Sequence, residues 1–559
     1  MGSVNLSVSA WLRGLSGRIG ALPAQRVIWS LLLVFSVWVF VDVFFLQLTT
    51  GLARSTFDAM VRNRVMTAAP DPRIVIVDID ESSLARLGPE FGRWPWPRDI
   101  LATSLSAIER QQPAAIVWDV VFSDPDKLNP GGDAAFDQAV RQSQHSHFSV
   151  VRLPAANDGQ SALTATQLPG LWSHRSQTAR DATRVAPSTV ALIPPALPAI
   201  TAARLGFNNG YVDRDGVLRR YRYAEVLPDG SVIHSVPLSV VQALDRPAYD
   251  AILDRALEAG TSGDELIAWR SKADSYPRVS FADVFAAAEG AKPAAAIPNF
   301  AGKVVLIGAT APSLHDIHPT PLSVSQAGVD TLATAIDNAL NRRHIAEISR
   351  GRQAALAIML CIGLALWGSA ASLSSLAPAL FVLPLSLVGI SYLSLNNAPV
   401  FFDLHLPAGL ALLFLALLRF WNGLRRDHWC GPPVSDAQAM GIACWEQSEA
   451  WTDAAVERLM NALERHAPNC RLVVGDTSVS WPAKLRWPEL SRFASVIGPQ
   501  ADLEAAKSTL STALQLPGLR CGSVLAVAGA LDRRNLAHHA MLAQWALAGK
   551  DQLTREASS

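Results

Sequence analysis

Cysteine and charge are both scarce in this sequence. Only five cysteines occur in 559 residues, and none falls between residues 54 and 352. That stretch has no disulfide framework and must be stable through its own core. Cys361 lies in an apolar run. Cys430, Cys444, Cys470 and Cys521 lie beyond residue 421 with no C-x-x-C pair. A zinc site is therefore not expected there, and unpaired thiols suit a reducing compartment. Charged residues make up 17% of the chain, against about 25% in a typical soluble protein. Lys+Arg 48 balance Asp+Glu 48, so the basic footprint of a nucleic-acid binder is missing. Half of the residues are hydrophobic. That excludes a disordered chain and makes membrane spans the first thing to look for.

Two regions are nearly free of charge. Residues 27–53 contain only Asp42, and their apolar core at 28–48 is long enough to cross a bilayer. The run is too long for a cleaved signal peptide, so an uncleaved anchor is expected. Asp42 sits toward its outer end, where an acid is expected to reach water. Residues 353–421 carry only Asp403 and Arg419 and divide into spans near 354–372, 376–395 and 400–421. The small, polar 368–375 stretch and the Asn396-Asn397-Ala398-Pro399 turn separate them. Arg13, Arg18 and Arg26 precede the first span, and Arg419, Arg425 and Arg426 close the last. Both termini are thus expected in the cytoplasm of an inner-membrane, multi-pass protein. Arg342, Arg343, Arg350 and Arg352 fall on the outer side, next to a long region that is translocated largely regardless of charge. The expected organisation is a cytoplasmic segment 1–26, an anchor 27–53, an extracytoplasmic domain 54–352, three spans in 353–421 and a cytoplasmic domain 422–559.

In the outer region, apolar runs at 74–80, 114–122, 148–151, 189–193 and 303–308 read as buried strands. Helical spacing at 100–108 and 332–340 alternates with them. This is the pattern of a mixed, mainly parallel α/β sheet covered on both faces. Residues 206–226 read instead as a hairpin around Asp213-Arg214-Asp215-Gly216. That tetrapeptide resembles the start of a calcium loop but lacks the later bidentate Glu, so a turn closed by its own Asp side chains is favoured.

An ordered set of motifs runs through this region: Asp78-Ile79-Asp80-Glu81-Ser82-Ser83-Leu84, Gly92-Arg93-Trp94-Pro95-Trp96-Pro97-Arg98 and Trp118-Asp119-Val120-Val121-Phe122-Ser123. The Asp213–Arg220 turn, Gly302–Pro312, Asp316 before Thr320-Pro321, and Gly328-Val329 before the final helix complete it. In that order, over roughly residues 50–345, they resemble the type-2 CHASE domain, an extracellular sensory module of bacterial cyclases and histidine kinases. One anchor before the domain and three spans after it resemble that family's layout. The family's final helix reads Gly-Val-Glu-x-His-Ala-Asn, whereas Leu332 and Thr334 stand here at the His and Asn positions. The resemblance implies reception of an extracytoplasmic small-molecule or protein signal and names no ligand.

Candidate ligand-binding residues follow from strand ends, where open α/β sheets bind their ligands. Asp78, Asp80 and Asp119 end apolar strands, and Asp316 follows another. Their carboxylates could hold a cation or accept hydrogen bonds; equally, they could cap helices or pair with Arg93 and Arg98. Trp94 and Trp96 flank Pro95 and, with Arg98, could contact a ligand or pack the loop. His315-x-x-His318 lacks a third and fourth metal ligand in sequence, so no metal or other cofactor is expected.

Beyond residue 421, strands at 440–445, 471–474, 493–497 and 523–527 alternate with helices at 452–466, 501–514 and 533–547, a second, small α/β domain. Kinase, histidine-kinase and cyclase signatures do not match. Glu446 and Asp476 after two strands leave a degenerate metal pair open. The tail is therefore read as a noncatalytic coupling or protein-binding domain, joining copies of the chain or another partner. A receptor embedded in the bilayer is the first functional reading. A structural or assembly component of an envelope complex is the alternative, and an outer-face enzyme is the third.

Overall fold

The computed structural model describes residues 18–547 except 165–166, 175–187, 228, 260–263, 271–274, 371–377, 399, 430–439, 450, 475–491, 515, 517, 528–539, 541 and 545. It divides into two compact units. One comprises residues 50–348 with 390–403; the other holds 1–49, 349–389 and 404–559.

The first unit is built on a seven-stranded sheet. Its strands run in the order Arg278–Ser280, Ile74–Ile79, Val304–Ala309, Ala115–Trp118, Ser146–Arg152, Leu192–Ile193, and Arg204–Phe207 also pairs with Ser146–Arg152. All pairings are parallel except that of the short Leu192–Ile193 strand. The continuous apolar runs become strands buried along their length, as a sheet covered on both faces requires. Val75, Val77, Ile116, Trp118, Val305 and Ile307 share one core with Ile100 and Leu105 of the Arg98–Glu109 helix and Phe136 of the Pro130–Gln142 helix. The helices Val236–Leu244 and Gly328–Leu340 pack on each other and on the sheet.

The hairpin expected at 206–226 does not form. Arg204–Phe207 joins the main sheet, whereas Arg220–Arg222 pairs antiparallel with Asp264–Ile267. The Asp-Gly turn itself is present. Gly216 N donates to Asp213 O at 2.9 Å, and Gly216 takes the positive φ of 80° that glycine tolerates. Charge redirects the chain after the turn. The Arg219 guanidinium, 3% exposed, binds Asp58 at 2.7 Å, Asp213 at 2.9 Å and Asp215 at 2.8 Å. Arg220 bridges Asp213 and Glu347. The turn acids are thus tied to arginines. The resulting small sheet runs Val400–Phe401, His344–Glu347, Asp264–Ile267, Arg220–Arg222.

In the second unit the helix Ala24–Val41 continues through a wider turn, Asp42–Leu46. Asp42 does not reach water. It is buried, its Oδ1 accepting from Leu48 N at 2.9 Å and its Oδ2 from Thr49 Oγ1 at 2.6 Å. Its carboxylate satisfies the chain where the helix ends. Among the described residues, four helices are long and apolar enough to cross a membrane: Ala24–Leu46, Arg350–Ser369, Ala379–Asn397 and His405–Arg426. The fourth begins at His405 rather than 400, because Val400–Phe401 is a strand. Phe35 meets Phe414 edge-on at 5.5 Å, and Ala357, Ala365 and Ala411 allow close helix approach. Phe381, Val382 and Leu385 face outward, as lipid contact demands.

The C-terminal sheet is antiparallel, ordered Arg471–Val474, Phe493–Pro499, Met440–Glu446, with Arg520–Cys521 and Leu525–Val527 along the far side of Met440–Glu446. With the helices Asp453–His466 and Gln500–Leu514 between strands, this is the split βαββαβ arrangement. Thr452 caps the first helix, accepting from Ala455 N. The 533–547 helix expected from sequence lies mostly outside the described residues. Asp476 and Cys430 lie outside them as well. The last membrane-length helix runs on to Trp429, which joins the tail core with Leu459, Leu463 and Leu472. Arg425, fully buried, donates to Glu464 at 2.7 Å and Asn461 at 2.6 Å. Burial pushes the thiol of Cys444 up to about 12 and those of Cys470 and Cys521 up to about 11, so they stay unreactive.

Candidate functional site

The strand-end acids separate into two groups. Asp78 and Asp80 are consumed in holding the sheet. Asp78 accepts from Thr310 Oγ1 at 2.7 and 2.8 Å and pairs with Arg278 at 3.4 Å. Burial holds its carboxyl above the usual range, opposed by the Thr310 bond. Asp80 caps the Glu81–Phe91 helix, accepting from Ser83 N and Ser83 Oγ at 2.7 Å, and also from Ser280 Oγ at 3.0 Å. These are the capping and pairing roles open to strand-end acids.

Trp94, Trp96 and Arg98 make packing contacts as well. Trp96 is buried, stacks on Phe281 at 5.4 Å and meets Trp94 edge-on at 4.9 Å. Arg98 pairs with Asp133, donates to the Asp124 carbonyl and lies over Phe122. A proline-bounded aromatic pair in the loop between two helices finds its apolar partner in the core.

Asp119 and Asp316 are brought together. Asp119 follows the Ala115–Trp118 strand. Its Oδ1 accepts from Asn208 Nδ2, and Asn208 Oδ1 accepts from Tyr221 OH at 3.1 Å. Its Oδ2 is buried and has no hydrogen-bond partner among the described residues. Burial, then the negative charge of Asp316, push the Asp119 carboxyl up to about 7. His318 lies 3.6 Å from Asp316, whose carboxylate raises the imidazole's pKa.

Two glycines make the approach possible. A Cβ on Gly308 would meet Val329 at 2.7 Å and the Asp119 Cβ at 3.0 Å; one on Gly328 would lie 2.4 Å from Asp316 Oδ2. Asp316 therefore rests against the start of the Gly328–Leu340 helix, where the helix dipole favours a carboxylate. Asn208, Tyr221, Asp316, His318, Thr331 and Leu332 line a cavity of about 40 Å³ there. Thr331 is buried, and its Oγ1 has no partner among the described residues. Leu332, at the position where the resemblance leads one to look for His, supplies an apolar wall. Thr334 is turned back to bond Asp330 O at 2.8 Å.

Sequence reasoning missed Asn208, Tyr221 and Thr331. They come to the cavity from distant elements, and only the Asn208-Asn209 pair after an apolar strand hinted at a polar site. His315 bends away through a positive φ of 58° and bonds Ser313 O at 3.0 Å. Among the described residues no group of three or more His, Cys, Asp or Glu is placed to hold a metal.

The opposite end of the same helix is locked. Asp337, completely buried, pairs with Arg270 at 2.7 Å and accepts from Tyr276 OH at 2.8 Å and Asp71 N at 3.0 Å. One helix thus begins at the cavity lined by Asp316 and ends in an ionic lock. The chain leaves that lock through His344–Glu347 and enters the Arg350–Ala370 helix.

Comparison with known proteins gives one match. The model of the CHASE2 domain fits residues 31–373, from within the first membrane-length helix to just past the second. No curated protein and no solved structure matches.

Proposed function

The chain belongs to the CHASE2 domain family, and on that premise we propose that it is an inner-membrane receptor whose extracytoplasmic domain takes its signal at the cavity beside Asp119 and Asp316. Sensory domain and four membrane-length helices together make it a multi-pass membrane sensory protein. The observation that carries the site is the pair of unused, buried acceptors, Asp119 Oδ2 and Thr331 Oγ1. Buried polar groups ordinarily find partners, and Asp119, just past its strand, lies where open α/β sheets receive ligands.

The relay follows the chain. A ligand can shift a receptor only through different affinity for two states. The Gly328–Leu340 helix carries both the cavity and the Arg270–Asp337 lock, and leads into the spans. At the other end of the spans, Arg425 grips Glu464 and Asn461 of the tail. Basic flanks support placing the tail in the cytoplasm. We read the tail as a noncatalytic domain that passes the signal to a protein partner or a second copy of the chain.

A thermal-shift screen of metabolites and ions against the full chain in nanodiscs tests the reading. A bound ligand raises the midpoint by mass action. Asp119→Asn should abolish the shift, and Asp80→Asn should lower the midpoint yet keep it. A shift equally strong in Asp119→Asn places the site elsewhere. No shift with any compound favours the assembly component.

A further inference from the structure

We propose that a cavity where three membrane-length helices meet the tail holds the headgroup of a phosphatidylethanolamine molecule, its phosphate on arginine and its ammonium on glutamate. The inference goes beyond the receptor reading and does not depend on the cavity beside Asp119.

Place comes first. The cavity measures about 160 Å³, several times the roughly 30 Å³ share of one water. All its walls belong to one compact unit. Ala24 and Gln25 stand at the start of the first membrane-length helix, Ser369 at the end of the second and Arg425 at the end of the fourth. Glu457, Glu464 and Arg465 close it from the Asp453–His466 helix of the tail. Apolar helices that span a bilayer end at headgroup depth. A ligand at that level competes with the lipids themselves, so a lipid headgroup is the natural occupant.

Donors come second. Arg425 is 1% exposed, and its Nη2 holds Glu464 and Asn461. Its Nε is closed in, whereas its Nη1 is neither closed in nor hydrogen-bonded among the described residues. Arg465, on the same cavity, has no ion pair or hydrogen bond among the described residues. Two guanidinium groups therefore face one space with donors to spare, and guanidinium is the group that matches phosphate. The Ala24–Val41 helix adds to this. Its N-cap is Pro23, which supplies no side-chain cap. The first N–H groups of a helix have no partner within it, and its dipole favours a phosphate there.

The acids decide which phosphate. Arg425 and Arg465 balance Glu457 and Glu464, so the lining is neutral. A purely anionic head would meet two carboxylates with nothing to offer them. Glu457 already accepts from Asn422. Glu464 uses Oε2 for Arg425 and has Oε1 without a partner among the described residues, on a side chain 21% exposed. An ammonium group next to the phosphate fills that vacancy with N–H donors. The quaternary ammonium of phosphatidylcholine has none, and phosphatidylglycerol has no cation. A head that carries both signs and keeps its N–H groups is ethanolamine phosphate.

The test uses the full chain in nanodiscs of phosphatidylcholine alone, and of phosphatidylcholine mixed equally with phosphatidylethanolamine or phosphatidylglycerol. The unfolding midpoint should rise by several degrees in the ethanolamine discs only. Native mass spectrometry should find one phosphatidylethanolamine that outlasts the other lipids. Arg465→Gln, at an exposed position, should weaken that retention about tenfold. Glu464→Gln leaves an oxygen for Arg425 and removes the carboxylate charge; it should abolish the preference for ethanolamine over choline. Equal midpoints in ethanolamine and glycerol discs, or in all three, overturn the proposal. An ethanolamine gain and retention unchanged in both variants put the lipid elsewhere and overturn this site. Soluble glycerophosphoethanolamine added to choline discs should give no comparable rise; a rise as large as the lipid's overturns the membrane source.

Discussion

Asp119→Asn should change how stability depends on pH, in a direction the structure dictates. In the unfolded chain an aspartate ionises near pH 4. In the folded domain, burial and the Asp316 charge raise Asp119 to about 7. Between these values the folded state holds a proton that the unfolded state has released, so stability falls as pH rises. Each pH unit costs about 1.4 kcal/mol, and roughly three units make the loss on the order of 4 kcal/mol by pH 7, flat thereafter. Asparagine has no proton to lose, and its side-chain oxygen can still accept from Asn208 Nδ2. Variant and wild type should match near pH 4, and the variant should gain steadily to pH 7. Other acids titrate in the opposite sense, among them Asp215, held low by Arg219. The quantity to read is therefore the difference between the two proteins. Unfolding midpoints of the full chain in nanodiscs at half-unit steps from pH 4 to 8 give it directly, with a final gap of at least several degrees. Parallel curves would refute the reasoning, because they would mean that Asp119 ionises as an ordinary carboxylate.

Three further outcomes are expected. Arg270→Ala leaves Asp337 buried with a lost partner and should destabilise the CHASE2 domain by about 3–5 kcal/mol, measured by denaturant titration. Gly328→Ala places a Cβ against the Asp316 carboxylate; the flexible carboxylate should swing aside, so any ligand response is lost with stability changed by less than about 1 kcal/mol. The full chain should show no ATP or GTP turnover with Mg²⁺ or Mn²⁺ in a product-release assay, since the tail's sequence offers no glycine-rich phosphate cradle; turnover abolished by Asp476→Asn would restore an enzyme output.

Much of the fold was legible because apolar runs in a covered parallel sheet have no alternative use. The apolar runs at 74–77 and 304–307 have the character of buried strands, and they lie within the strands Ile74–Ile79 and Val304–Ala309. The 206–226 hairpin misled because its turn is genuine. What decides the pairing is Arg219, whose partner Asp58 lies 161 residues away, a contact no local pattern encodes. Asp78, Asp80 and Asp119 all end strands, and nothing in their local sequence favours one over another. Only the approach of Asp316, permitted by Gly308 and Gly328, singles out Asp119. By sequence Trp96 suits a ligand or a core equally; in the fold it stacks on Phe281. Thr331 resembles any other polar residue on a helix until the cavity forms around it.

The central claim is that the CHASE2 domain faces outside the cell while the tail lies within. Sided thiol labelling measures it directly. In a chain freed of its native cysteines, Leu128→Cys, at a position 98% exposed in the outer domain, should react with an impermeant maleimide on intact cells. Ser508→Cys, exposed on the Gln500–Leu514 helix, should react only after the membrane is opened. Labelling of both from outside, or of Ser508→Cys alone, would contradict the account.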